Sequence, residues 1–148
     1  MSAIVYLITM RDDNSPAGVV LAVKSNFDAA CELTRTLYML EHFGEKFAEC
    51  YVRNVYFSIG ACMGAFCDYQ IDSYTLEAEP TCDASGSPII FITTVNNRTH
   101  RLFADMSKAS AVRRQSDTNR FSVWIVDNLD REAELLEMAR KGKVNAQV

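Results

Sequence analysis

The chain has no second closely spaced pair of cysteines, no glycine followed directly by lysine-serine or lysine-threonine, and no more than two histidines. Each shortage excludes a chemistry. Its five cysteines, at positions 31, 50, 62, 67 and 82, are odd in number and irregular in spacing, which matches no disulfide framework. They are expected as thiols, buried or partly buried. A structural zinc site closes its tetrahedron with two short-spaced ligand pairs, and only Cys62 and Cys67 form one. No metal and no cofactor is expected. The stretch SIGACMGAFCDY, Ser58 to Tyr69, gathers two glycines and two cysteines, yet it lacks the Gly-Lys-Ser/Thr step of a P-loop and the G-x-G-x-x-G spacing of a dinucleotide turn. Gly60 and Gly64 are therefore read as a turn between strands.

Catalysis finds equally little support. His42 or His100 could be set against any of the five cysteines, so no pairing of nucleophile and base is singled out. The carboxylate pairs Asp68/Asp72 and Glu77/Glu79 read as solvated charges on a strand. With no nucleophile, base and orienting group at informative spacing, the expectation is a protein that is not an enzyme. The opening MSAIVYLITM has no basic leader, and its short apolar run is closed by Arg11, Asp12 and Asp13. Neither a signal peptide nor a membrane span is expected, and the protein is placed in the cytoplasm.

What the chain does have is enough apolar material, 49% against 23% charged, for one compact domain over residues 1–148. AIVYLITM (Ala3 to Met10) and GVVLAVK (Gly18 to Lys24) read as a hairpin across the turn-forming RDDNSPA. Ser25 or Asn26 caps the helix that follows, Ser25 with Asp28 making a capping box, and Gly44 ends it. Glu45 to Glu49 reads as a further helical turn. YVRNVYFSI (Tyr51 to Ile59) and FCDYQIDSYTLEAE (Phe66 to Glu79) read as a central hairpin, with a bulge near Asp72 and Ser73 to bring Tyr69, Ile71, Tyr74 and Leu76 to one side. PIIFITTV (Pro88 to Val95) and RFSVWIVD (Arg120 to Asp127) are the last strands, and a helix from Leu129 to Lys141 has an acidic first turn and a basic last one. GVVLAVKSNFDAACEL echoes FSVWIVDNLDREAELL, and SAIVYLITM echoes SPIIFITTV. The expected fold is a single α+β domain: a sheet of about six antiparallel or mixed strands with two or three helices mostly on one face. It reads as two β-β-α units, 1–44 and 87–142, around the central hairpin, with a flexible tail over 143–148. Sheet edges must be covered or paired, which makes a homodimer reasonable.

IVYLITM, VVLAV with its capped helix, YQIDSYTLE and VWIVDNLDREAELLEMARK together resemble small β-β-α accessory proteins of tailed bacteriophages and prophages. The resemblance covers about half the chain; Arg98 to Asn119 departs from it. It implies a viral or mobile-element product that acts on host or defence machinery in the host cytoplasm, and it carries over no catalytic residue.

Charge is the strongest asymmetry. Residues 1–97 hold five Lys/Arg against twelve Asp/Glu, whereas 98–120 hold six against two. An acidic body with one basic segment bears on partners rather than on fold. Leu102, Met106, Ala109 and Val112 recur at helical spacing, so one helix is expected there, with Arg98, Arg101, Lys108, Arg113 and Arg114 on its exposed side and Arg120 beyond it. These six are the candidate contact residues. They could be neutralised by the chain's own carboxylates, meet an acidic protein surface, or meet phosphate. A sequence pI near 5.1 disfavours nucleic acid. The aromatics Tyr51, Tyr56, Phe57, Phe66, Tyr69 and Tyr74 do not form an RNA-recognition pattern. The first expectation is a non-enzymatic protein-binding factor, of the kind that inhibits a host or defence protein with an acidic surface. The second is a nucleic-acid or nucleotide binder using the same segment.

Overall fold

Residues 3–54, 69–142 and 144 are described by the computed structural model, with side chains outside 42–54. The elements in chain order are β1 (Ile4–Asp12), β2 (Ser15–Lys24), α1 (Phe27–Asn54), β3 (Tyr69–Thr75), β4 (Ile89–Val95), β5 (Thr99–Phe103), α2 (Met106–Arg113), β6 (Arg120–Ile125) and α3 (Leu129–Arg140). They form a single α+β domain, but its six strands make two antiparallel sheets of three rather than one sheet, in the orders β2-β1-β3 and β5-β4-β6.

The sheets stack face to face, and this decides the burial of β1. Val5 and Leu7 point into a core shared with Ile90, Ile92, Leu102 and Val126 of the second sheet. Ile8 and Met10, of opposite parity, point into a second core with Leu33, Leu37 and Leu40 of α1 and Leu135 and Ala139 of α3. The layers therefore run α1 and α3, first sheet, second sheet, α2. The helices are not all on one face: Thr93 Oγ1 on the far side of β4 donates to the Ala109 carbonyl of α2 at 2.8 Å.

Several local expectations are corrected. The expected bulge near Asp72 and Ser73 is absent, since β3 runs in unbroken register from Thr75 opposite Ile4 to Tyr69 opposite Met10. Both faces of β3 are covered, so Tyr69 and Ile71 serve the helix-side core while Tyr74 and Leu76 serve the inter-sheet core. The irregularities lie between β1 and β2 instead: Val20 pairs with Thr9 and Ala22 with Ile8, leaving Leu21 as an extra residue, and the register shifts again between Met10 and Asp12. Gly44 does not end α1, which continues to Asn54, so Tyr51 to Asn54 are helical rather than strand. The remainder of that expected strand and the turn of the expected central hairpin, with Gly60, Cys62, Gly64, Cys67 and Asp68, lie outside the described residues; β3 pairs with β1.

Asn26 alone caps α1, accepting from Ala29 N at 3.0 Å, and Ser25 turns instead to the Asp127 carboxylate. Asp127 in turn donates its own N–H to the Val23 carbonyl at 2.9 Å. The joint from β2 into α1 is thus bonded directly to the joint from β6 into α3. Of the tail over 143–148, only Val144 is described, and it is buried in the helix-side core. Among the described residues no helix is long and apolar enough to cross a membrane.

Candidate functional site

The basic segment is built differently from the single helix expected. Asn96 and Asn97 both have positive φ, 54° and 58°, and Arg98 N–H closes the turn onto Val95 O at 2.9 Å. Two such residues between strands make the tight turn that suits a twisted hairpin, so the chain from Thr99 to Phe103 returns as β5. Asp105 then caps α2 by accepting from Ser107 N at 2.8 Å. Within α2, Ala109 and Val112 face the sheet and Met106 is exposed, whereas Leu102 lies in β5 and packs between the sheets. After α2, buried Asn119 holds the return loop: its Nδ2 donates to Val112 O at 2.8 Å and its Oδ1 accepts from Asn96 N at 3.0 Å.

This folding leaves a cleft of about 1130 Å³ at one end of the stacked sheets. Asp127, just beyond β6, bonds Val23 of β2, and Gly18 to Val20 with Arg120, Phe121, Ser122 and Trp124 form parts of the cleft's walls. Thr94 and His100 also line it, as do Arg113, Asp12 and Asp117. The His100 ring is a tie between sheets. Its Nε2 lies 3.0 Å and 3.2 Å from the carbonyls of Ala17 and Gly18, so the proton sits there, and Nδ1 accepts from Thr94 Oγ1 at 2.8 Å. Gly18 is needed for the approach: its φ is +80°, and a Cβ there would lie 2.9 Å from Met10 O.

Burial pulls the His100 pKa below the ordinary 6.5, outweighing the two carbonyls and Asp72, which favour the charged ring. A base with a lowered folded pKa stabilises the fold fully above its unfolded pKa and progressively less as pH falls through the folded one. Unfolding free energy from urea titrations should therefore drop as pH falls below about 6.5, and His100→Gln should flatten that segment. An unchanged slope in the variant would show that this ring is not the group responsible.

The six candidate contact residues are divided by the fold. Arg113 and Arg120 line the cleft; Arg98, Arg101, Lys108 and Arg114 are exposed and do not line it. Arg113 Nη1 donates to Ser116 O at 3.3 Å, and the Arg101 guanidinium lies 5.3 Å from the Phe103 ring centre. Among the described residues, none of the six is ion-paired to a carboxylate. The ion pairs are elsewhere, as with Lys24 and Glu132 or Arg131 and Glu134.

The other sequence candidates separate. Glu77 accepts from the N–H groups of Ala104 and Asp105 at 2.8 and 3.0 Å and so anchors the start of α2, while Asp72 accepts from Gln70 at 2.8 Å. Cys31 is buried, Cys82 is exposed, and among the described residues no group of three or more His, Cys, Asp or Glu is placed to hold a metal ion. Sequence reasoning missed Thr94, Asp117, Ser122 and Trp124 as cleft residues; the Asn-Asn step was the available signal that the segment doubles back. Comparison with family models, with curated proteins and with solved structures finds no match to this chain.

Proposed function

We propose that this protein is a non-enzymatic binding factor that takes an acidic protein partner on the basic segment 98–120. One observation carries the reading: on an acidic chain, the six cations of one segment are turned to solvent or to an open cleft, with no ion pair to a carboxylate among the described residues. Charges left this way cost little in water and gain when a partner supplies the carboxylates, chiefly as faster encounter and selectivity for sign. The resemblance to phage accessory proteins makes a host or defence protein the class of partner, bound so as to occlude it.

Reversing Arg113 and Arg114 to Glu together should abolish capture of the partner from host lysate. Both lie at the end of α2, where acidic residues oppose the helix dipole by about 0.3–1 kcal/mol each, so the melting midpoint should fall by no more than a few degrees. Capture that survives the double reversal removes the assignment. Titration with single- and double-stranded nucleic acid and with nucleotides completes the test, because saturable binding at physiological salt would replace the protein partner with a phosphate-bearing one.

A further inference from the structure

The geometry points to a second copy of this chain as the partner of the free edge of β6, joined antiparallel about a two-fold axis at Val123 to make one six-stranded sheet.

The hydrogen-bond parity of β6 fixes which groups are on offer. In an antiparallel ladder alternate residues direct both N–H and C=O to the same neighbour. Val126 N–H bonds Pro88 O on the β4 side, and Asp127 N–H points the other way, to Val23 O. The register between β4 and β6 is unbroken, so Phe121, Val123 and Ile125 share the parity of Asp127 and aim their backbone groups away from β4. Among the described residues no strand is laddered to Phe121–Ile125 on that side; β2 bonds there only at Val23, beyond the end of β6.

The edge is also unguarded. Exposed edges are usually blunted by charge, proline or bulges. β6 reads RFSVWI, with none of these between Phe121 and Ile125, and Val123 is 55% exposed beside Phe91. Other edges differ: β2 is pinned by Asn97, Asp127 and Arg131, β3 carries Asp72, and β5 carries Arg101.

Self-pairing fits both shape and charge. With Val123 opposite Val123 of the second copy, Phe121 meets Ile125 and Ser122 meets Trp124, so the outer face gains a continuous apolar stripe and no like charges are opposed along the strand. Arg120 begins β6, and Asp83, Asp127 and Asp130 adjoin its end, so antiparallel pairing lays Arg120 of each copy beside the acidic end of the other and leaves Arg98, Arg101, Lys108 and Arg114, outside the cleft, open to an acidic partner.

Sedimentation equilibrium over a dilution series tests this on the full chain. The wild-type protein should show a two-chain species. Val123→Pro removes one outward N–H and no bond to β4, and should abolish that species while the circular dichroism spectrum and melt remain those of a folded chain. Val123→Asp keeps the backbone and sets two carboxylates together at the axis; it should have the same effect, and it decides the matter should the proline variant fail to fold. A wild-type chain that stays single at every concentration, or a folded Val123 variant that still dimerises, overturns the proposal.

Discussion

Leu7→Ala and Ile8→Ala should each lower the unfolding free energy by about 2–5 kcal/mol, although the two residues are adjacent on one strand. On a strand with one wet face, neighbours differ sharply, because side chains alternate between core and solvent. β1 has no wet face along this stretch. Leu7 is fully buried between the sheets, and Ile8 is fully buried against α1 and α3. Each truncation leaves a cavity in a different core, and because the two residues share a backbone the double variant measures the coupling between the cores. Urea denaturation of both single variants measures each cost directly. A cost near zero for either residue would contradict the stacking of the sheets. Ile4 on the same strand is half exposed and serves as the internal control, with Ile4→Ala expected to cost well under about 1 kcal/mol.

That two-sided burial explains which parts of the fold were legible. The run IVYLITM has no alternation of apolar and polar residues, the signature of a strand covered on both faces, and so its strand character was plain while its place between two layers was not. The phase change between Ile71 and Tyr74 arises from the same cause. A bulge would reconcile it with one buried face, but two buried faces make it ordinary alternation. α3 was readable because its caps and end charges are local features: Asn128 accepts from Asp130 and Arg131, and Asp130 and Arg140 mark the ends. α1 overran its expected stop because a glycine ends a helix only where the chain takes the left-handed turn, and Gly44 sits within the helical run. Sheet partition was not legible, since pairing between distant strands leaves no local period. Of the internal echoes, SAIVYLITM and SPIIFITTV fall on β1 and β4, the central strand of each sheet; the other joins β2 to β6, each an edge strand paired to that central strand, though β5 and α2 intervene before β6. The candidate site was legible as charge, but not in its division between a cleft and an outer surface, which the Asn96–Asn97 turn imposes.

Glu132→Leu should destabilise the fold by about 3 kcal/mol, and adding Lys24→Met to it should restore most of that loss. Lys24 is buried at the end of β2, where its Nζ lies 2.8 Å from Glu132 Oε2 on α3 and 3.7 Å from Asp127 Oδ1. An ammonium taken out of water is tolerable only while carboxylates compensate it. Removing Glu132 leaves the more distant Asp127, which already accepts hydrogen bonds from Ser25. Replacing both charges with apolar side chains removes the uncompensated ion together with its partner, and such double replacements are commonly neutral or better. The asymmetry between single and double variants is the diagnostic feature. An exposed ion pair would give about 0–1 kcal/mol for the single change and lose even that in salt, whereas a buried one is little screened. Urea midpoints for the single and double variants, at low and high salt, distinguish the cases. A small, salt-erased effect of Glu132→Leu would mean that water reaches Lys24, and that the bonded joints of β2–α1 and β6–α3 open more readily than their packing indicates.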